Sequence, residues 1–460
     1  MNKLALGPAL SAKPPAVLSF YGGGGKTALI SRLASEITSS SEKALITTTT
    51  KIYPPAGVPL FIDDRDTPPE VRLMEHFAGD NLAVTGKRIL ADNKIEGISP
   101  RQVRQLRERL PVTILVEADG SRGLPLKGYG PAEPVIPSCS DLVAAVAGAD
   151  ALERPLDGSA VHRPEEFARA TGLEPGKPIT EKTLAAAFNY MLKIGRAQAG
   201  GAGQLCILNK TDLLKYPGST ALEIGRILCR EIIRPATLLL TSDDDAGPVK
   251  ITLPLEKDGP HAAVACVVLA AGTSSRMGRD KLSLPLGRQT ILEHTLERIS
   301  AAGPGEIIVV TIPGSPWTAR LDPEKYRLVE NPAYRTGMAS SLKAGLSAVS
   351  SKTQGTLFAL GDQPLIPAEV YRQLIYSYRS NLNLVTCPLY LGRRGNPALF
   401  DRRTWPQLMG LSGDRGGRVL FDSIDENEMI LLETGLALAV EDVDTPENYR
   451  LLLDSFSAGN

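Results

Sequence analysis

Two stretches of the chain carry residue types suited to handling phosphate. The first, Gly22-Gly23-Gly24-Gly25-Lys26-Thr27, follows an apolar run that starts at Val17. Glycines leading into a helical pattern offer backbone N–H groups where the helix dipole favours anions. Lys26 would reach the β- and γ-phosphates, and the Thr27 hydroxyl would ligate Mg²⁺. The standard spacing of such loops has glycine where this chain has Phe20. The second stretch is Leu269-Ala270-Ala271-Gly272-Thr273-Ser274-Ser275-Arg276-Met277-Gly278, with Lys281 just beyond. It lacks the Gly-Lys-Ser/Thr ending, but its small residues would let backbone amides wrap a triphosphate. Arg276 and Lys281 would neutralise β/γ oxygens as pyrophosphate leaves. A dinucleotide fingerprint needs Gly-x-Gly, whereas these glycines stand at 272 and 278.

Carboxylates follow each loop. Ile114–Gly120 reads as a buried strand ending in Glu117 and Asp119, where a nucleotide-bound Mg²⁺ is held or its water activated. Phe358–Ile366 reads as a strand that delivers Asp362, suited to a Mg²⁺ bridging an α-phosphate, although an aspartate beside Pro364 can also simply form a turn. Asp444, opening Asp-Thr-Pro-Glu, is either a second metal ligand or the first residue of a helix capping box. Asn209-Lys210-Thr211-Asp212, after an apolar strand pattern, resembles the guanine-reading motif of GTPases, in which the aspartate accepts from the guanine edge. Thr47–Thr50 and Lys51 place hydroxyls and a cation after another strand. His162 and Arg163 either touch a phosphate or mark a helix start, with Pro164, Glu165 and Glu166 in its first turn.

Apolar runs alternating with helical stretches must position these groups. Strand patterns occur at Lys43–Thr47, Val112–Val116, Leu142–Val146, Leu205–Leu208, Glu306–Thr311, Gly355–Leu360 and Leu384–Pro388, and a helix pattern at Leu292–Ala302. The fold class is α/β, with two domains built on largely parallel sheets. A length of 460 residues fits, at ~100–200 residues per domain. The expected boundaries are 1–245 and 263–460, with 246–262 a linker of acidic residues, glycines and prolines.

Composition excludes several classes. Lys plus Arg and Asp plus Glu both total 51, so the basic excess of a nucleic-acid binder is missing, and 5% aromatic residues give few stacking platforms. The cysteines at 139, 206, 229, 266 and 387 are odd in number and unpaired by spacing, which suits a reducing cytoplasm. No apolar run reaches the ~20 residues that span a bilayer. A leader is not expected at Leu4–Ala12, because Pro8, Pro14 and Pro15 interrupt it and the phosphate-binding pattern begins at once.

Several further blocks carry a resemblance. Gly-Gly-Lys-Thr (24–27), Thr-Thr-Thr-Thr-Lys-Ile (47–52), Glu-Ala-Asp-Gly-Ser-Arg-Gly (117–123) with Pro125 and Lys127, Glu133-Pro-Val-Ile-Pro137, Val161-His-Arg-Pro164 and Leu208-Asn-Lys-Thr-Asp212 look like the YqeC family. These are accessory proteins of selenium-dependent molybdenum hydroxylases. The resemblance spans roughly 16–240 and implies a P-loop-like nucleotide-binding domain that takes GTP or ATP, and an apo molybdenum hydroxylase as partner. The loop at 269–278, Gly361-Asp362, Asn331-Pro332, Gly337-Met338-Ala339-Ser340-Ser341-Leu342, Arg394-Gly-Asn396-Pro-Ala-Leu-Phe400, Leu411-Ser-Gly-Asp414-Arg-Gly-Gly-Arg418 and Asp444-Thr-Pro-Glu447 resemble the MobA-like nucleotidyltransferases, especially the molybdenum cofactor cytidylyltransferases. That resemblance spans roughly 264–455 and implies a Rossmann-like transferase fold with CTP and the molybdopterin cofactor as substrates and Mg²⁺ as metal. Met338, Ser340, Ser341, Asn396 and Asp414 would lie on the acceptor side. Asn396 departs from the histidine more usual before that proline.

Overall fold

The computed structural model describes residues 16–63, 69–232, 234, 236–242, 248–257, 259–272, 277, 280–436 and 445–458. It divides into two compact units, one ending at His261 and the other beginning at Ala262.

The main strands of the first unit are β1 (Ala16–Gly22), β2 (Ala44–Thr48), β3 (Leu60–Ile62), β4 (Leu82–Gly86), β5 (Thr113–Glu117), β6 (Leu142–Gly148), β7 (Gly203–Asn209), β8 (Ala236–Thr241), β9 (Val249–Glu256) and β10 (Gly259–Pro260). They form one sheet in the order β10-β9-β8-β7-β6-β1-β5-β2-β4-β3. Pairing is parallel from β3 through β8, and β9 and β10 add antiparallel. β1, β5 and β6 are buried almost throughout, hence their continuous apolar runs without alternation. Helices α1 (Lys26–Ser39), α2 (Pro69–His76), α3 (Pro100–Arg109), α4 (Pro164–Thr171), α5 (Glu181–Gln198) and α6 (Pro217–Glu231) cover the sheet. Caps fix several of them: Ser99 and Gln102 make a reciprocal capping box before α3.

The linker expected at 246–262 is corrected by β9. Val249, Ile251, Leu253 and Leu255 are buried while the residues between them are half-buried, the period-2 pattern of a strand with one covered face. Gly225 of α6 lets that helix approach, since a Cβ there would stand 3.1 Å from Leu253 Cδ2.

The second unit contains β11 (Val264–Ala270), β12 (Glu306–Thr311), β13 (Arg327–Glu330), β14 (Gly355–Leu360), β15 (Val385–Tyr390), β16 (Arg393–Arg394), β17 (Ala398–Asp401) and β18 (Met429–Glu433). Their order is β13-β12-β11-β14-β17-β15-β16, with β18 beside β15. Helices α7 (Ile291–Ala301), α8 (Met338–Ala348), α9 (Ala368–Asn381) and α10 (Pro446–Ala458) accompany them. β13, β12, β11 and β14 are parallel, but β17 inserts antiparallel between β14 and β15, so this sheet is mixed rather than largely parallel. Asp401, at the end of β17, is wholly buried and bound by Tyr378 Oη at 2.7 Å and Arg403 Nε at 2.7 Å, which anchors the insertion. Among the described residues no helix is long and apolar enough to cross a membrane.

Candidate functional sites

In each sheet the order of strands turns around one central strand, and ligands of open α/β sheets gather outside the C-terminal strand ends at that switch point. In the first unit β1 is flanked by β5 and β6. The glycine loop after β1, Glu117 and Asp119 at the end of β5, Asp150 beyond β6 and Asn209 at the end of β7 therefore emerge along one edge.

The glycine loop is closed on itself more than its sequence suggests. Gly22 N–H donates to both oxygens of Asp119 at 3.0 Å, Gly23 N–H to the Val146 carbonyl at 2.9 Å and Gly24 N–H to the Leu124 carbonyl at 3.1 Å. These three amides were expected to face phosphate and instead bind protein; the first turn of α1, starting at Lys26, remains the part shaped for an anion. Close packing explains the glycines: a Cβ on Gly24, whose φ is +73°, would stand 2.2 Å from Gly148 N.

Lys26 is buried, with Nζ 3.1 Å from Asp119 Oδ1 and 3.9 Å from Glu117 Oε1 and donating to the Gly22 carbonyl. Thr27 Oγ1 donates to Glu117 Oε2 at 2.9 Å. Burial pushes the Glu117 carboxyl above its usual range, against the pull of Lys26 and the Thr27 hydroxyl. Thr27 and Glu117 together fit a Mg²⁺ that also binds nucleotide phosphate, because this ion typically takes one or two protein oxygens and keeps the rest for phosphate and water. Asp119 does not fit as the second ligand: it is fully buried, and its oxygens are taken by Gly22 N–H and by Lys26 and Lys127.

Asn209 joins the expected base-reading loop to the glycine loop. Its Nδ2 donates to the Gly24 carbonyl at 2.8 Å, and its Oδ1 accepts from Thr241 Oγ1 at 2.9 Å. Lys210 pairs with Asp150 at 2.7 Å, and Asp212 is exposed. The Thr47–Thr49 hydroxyls are satisfied inside the fold, on the carbonyls of Thr85, Glu117 and Val135. His162 lies in a short strand beside Lys127, and burial together with Lys127, Arg163 and Arg122 lowers its pKa. Arg163 caps α4 in the left-handed region and binds Glu133, the helix-start alternative.

In the second unit the switch strand is β11, flanked by β12 and β14. Ala270, Ala271 and Gly272 leave β11 next to Asp362, which follows β14. Gly361 fixes that approach: its N–H donates to the Leu269 carbonyl at 3.0 Å and its carbonyl accepts from Thr295 Oγ1 at 3.1 Å. Lys281, on a single 3₁₀ turn capped by Asp280, reaches across to form an ion pair with Asp362. Both line a cavity of about 400 Å³ with Ala270, Ala271, Gly272 and Ser341. One carboxylate aimed into a cavity beside a lysine fits a Mg²⁺ whose remaining ligands come from substrate phosphates. Thr273, Ser274, Ser275 and Arg276 lie outside the described residues, as does Asp444.

A neighbouring cavity of about 440 Å³ has an apolar floor of Leu269, Leu342, Phe358, Leu360, Ala398 and Phe400, with Asn396, Arg415 and Arg418 at its polar parts. Met338 and Asp414 line both cavities. Of the residues expected on the acceptor side, Asn396 lies on the apolar cavity, whereas Ser341 lies with Lys281 and Asp362. Ser340 is turned away, donating to the Gly337 carbonyl and accepting from Asn331 Nδ2, both at 2.8 Å. Tyr334, Arg335 and Gly337 also line the first cavity and were missed as site residues; Gly337 lay in a quoted block, but Tyr334 and Arg335 had no signal beyond lying between two of them.

The chain matches the family described as MobA-like NTP transferase domain over residues 266–428, and the YqeC protein family over residues 18–165. It is 35% identical over 181 residues to the uncharacterized protein YqeC of Escherichia coli (strain K12), covering 39% of this chain and 69% of that protein. It is 35% identical over 206 residues to the nicotine blue oxidoreductase of Paenarthrobacter nicotinovorans, covering 41% of this chain and 96% of that one. It is 28% identical over 189 residues to the molybdenum cofactor cytidylyltransferase of Escherichia coli (strain K12), covering 41% and 94%.

Proposed function

Because the chain belongs to the YqeC family in its first unit and to the MobA-like NTP transferases in its second, we propose that it matures the cofactor of a molybdenum hydroxylase. The second unit would join CTP to the terminal phosphate of molybdopterin cofactor, giving the cytosine dinucleotide form and pyrophosphate. The observation that carries this is the Lys281–Asp362 pair set in one cavity and opening beside a second, apolar-floored one. That arrangement suits a nucleotide and a flat heterocyclic acceptor meeting at Asp362.

An oxygen of the acceptor phosphate attacks the α-phosphorus of CTP, and the bond from that phosphorus to pyrophosphate breaks. The attacking phosphate is already anionic, so no base need remove a proton, and no catalytic histidine or cysteine is required. Mg²⁺ held by Asp362 would supply charge stabilisation at the α-phosphate. Lys281 and Arg276 would neutralise the departing pyrophosphate, and the cavity walls would hold the two substrates in line. Pyrophosphate release with CTP and molybdopterin cofactor tests the reaction directly.

Base choice is carried by Ala271. Ala271 lines the cavity that holds Asp362, at the point where the loop leaves β11, so its Cβ leaves less room beside a base than a glycine would. A pyrimidine tolerates that narrowing better than a purine. Wild type should give a higher kcat/KM with CTP than with GTP, and Ala271→Gly should reduce the preference by about 1–3 kcal/mol, the worth of one methyl in such a pocket. Equal use of CTP and GTP by the wild type would remove the cytidylyl assignment.

The first unit would bind GTP through Lys26, Thr27 and Glu117, with Asp212 reading the guanine edge. Support comes from Asn209, which bonds the glycine loop to the loop carrying Asp212. GTP should bind at least tenfold more tightly than ATP, the scale of a hydrogen bond to a charged group at ~1.5–3 kcal/mol. Asp212→Asn should shift preference toward xanthine nucleotides. Equal GTP and ATP dissociation constants would reduce the motif to a loop. A different activity, that of a nucleotide-switched assembly factor using the transferase fold to bind cofactor, requires tight cofactor binding with no pyrophosphate release.

A further inference from the structure

Behind the glycine loop the buried charges alternate in sign along a continuous chain. Lys26 Nζ stands 3.1 Å from Asp119 Oδ1, and Asp119 Oδ2 stands 3.4 Å from Lys127 Nζ. Lys127 Nζ is 2.7 Å from Glu133 Oε2, which also binds Arg163 at 3.0 Å. The side chains of Lys26, Asp119 and Lys127 are 2%, 0% and 0% exposed. Asp119 is thus shared between two lysines that water does not reach. Lys127 is held in place by the Gly120 carbonyl, 2.6 Å from its Nζ. Lys26, by contrast, begins the helix whose first turn is shaped for an anion.

The two lysines differ in what a nucleotide asks of them. A phosphate at the start of α1 competes with Asp119 for Lys26. A carboxylate left without a counter-charge at this depth is strongly disfavoured, so an Asp119 that depended on Lys26 alone would hold it against the phosphate. We propose that Lys127 is a positioning residue of the nucleotide site, which keeps the charge of Asp119 balanced so that Lys26 can turn to a phosphate. It touches no nucleotide and acts through Asp119; its other carboxylate partner is Glu133. Glu133 retains Arg163 whichever lysine moves. The proposal rests on the reading of the first unit as a nucleotide-binding domain.

Binding of Mg²⁺–GTP and Mg²⁺–ATP to the full chain tests it, with thermal melting followed alongside. Lys127→Met should raise the dissociation constant at least tenfold, and Lys127→Arg should recover most of that loss. In an Asp119→Asn background, where the charge to be balanced is gone, adding Lys127→Met should change the constant by less than about threefold, the non-additivity expected of residues acting through one partner. A purely structural lysine would weaken binding equally in both backgrounds. Wild-type affinity in a folded Lys127→Met protein overturns the proposal, as does a tenfold loss on adding Lys127→Met to Asp119→Asn. If Lys127→Met alone does not fold, the Asp119→Asn pair still decides. A wild type that binds neither nucleotide at millimolar concentration overturns the nucleotide-binding reading itself and this proposal with it.

Discussion

Replacing Asp362 by asparagine should lower nucleotidyl transfer about 10²-fold or more while leaving the fold in place. The amide has the carboxylate's shape, so Gly361 still anchors the segment through the Leu269 carbonyl and Thr295. What disappears is the negative charge that Asp362 sets against Lys281 in the cavity. Loss of a group that organises charge at the reacting phosphate costs ~3 kcal/mol or more in comparable sites. The measurement is single-turnover pyrophosphate release at saturating Mg²⁺, with melting temperature as the control on folding. Near-normal turnover there would take Asp362 out of the mechanism.

A second large effect is expected from Gly337→Ala, at the start of α8. Gly337 has φ of +109°, a conformation that L side chains rarely adopt, and an added Cβ would fall 2.3 Å from the Gly413 carbonyl carbon. The obstruction is backbone, so no rotamer change relieves it. Ala339 N–H meanwhile donates to the Gly413 carbonyl at 3.0 Å, tying α8 to the loop that carries Asp414. Backbone strain and overpacking together should destabilise the second unit by about 2–5 kcal/mol. The variant should melt at lower temperature and show weaker CTP binding, because the two walls of both cavities are pushed apart. An unchanged melting temperature would mean that the loop at 413 moves freely, contrary to its bond with Ala339.

The parts of these sites that were legible in the sequence are those set by local chain. Glu306–Thr311 and Gly355–Leu360 are strands with the bounds their apolar runs suggest, and Ile291–Ala301 is a helix within one residue of its pattern. Parallel strands buried on both faces leave an unmistakable run, and residues just after them necessarily meet at one sheet edge. That is why Lys281 and Asp362, 81 positions apart, could be read as parts of one site, although the ion pair between them was not foreseen. Missing from the sequence was the direction in which groups turn once there. Asp119 was expected to face a metal but folds back onto Gly22, and Gly23 and Gly24 donate to carbonyls of two distant segments. Such satisfaction of loop amides depends on packing partners 97 to 123 residues away. Tyr334 and Arg335 were missed for a related reason: they line the cavity from a single 3₁₀ turn just ahead of α8, which no strand end marks. β9 was obscured by the acidic and glycine-rich residues on either side of it, although Val249, Ile251, Leu253 and Leu255 alternate cleanly.

β9 also determines where the two halves can be parted. A polypeptide stopped at residue 245 would leave β8 as a bare rim, its outward N–H and C=O groups open to any other strand. It would also lose Val249, Ile251, Leu253 and Leu255 from the face under α6. At ~1.5–3 kcal/mol for each buried aliphatic side chain, that deficit rivals the whole stability of an ordinary domain, ~5–15 kcal/mol. Such a piece would clump on expression, and its failure to bind GTP would say nothing about Lys26 or Asp212. Cut after His261, the same half keeps its terminal hairpin, and the other half still begins ahead of Val264, the first residue of β11.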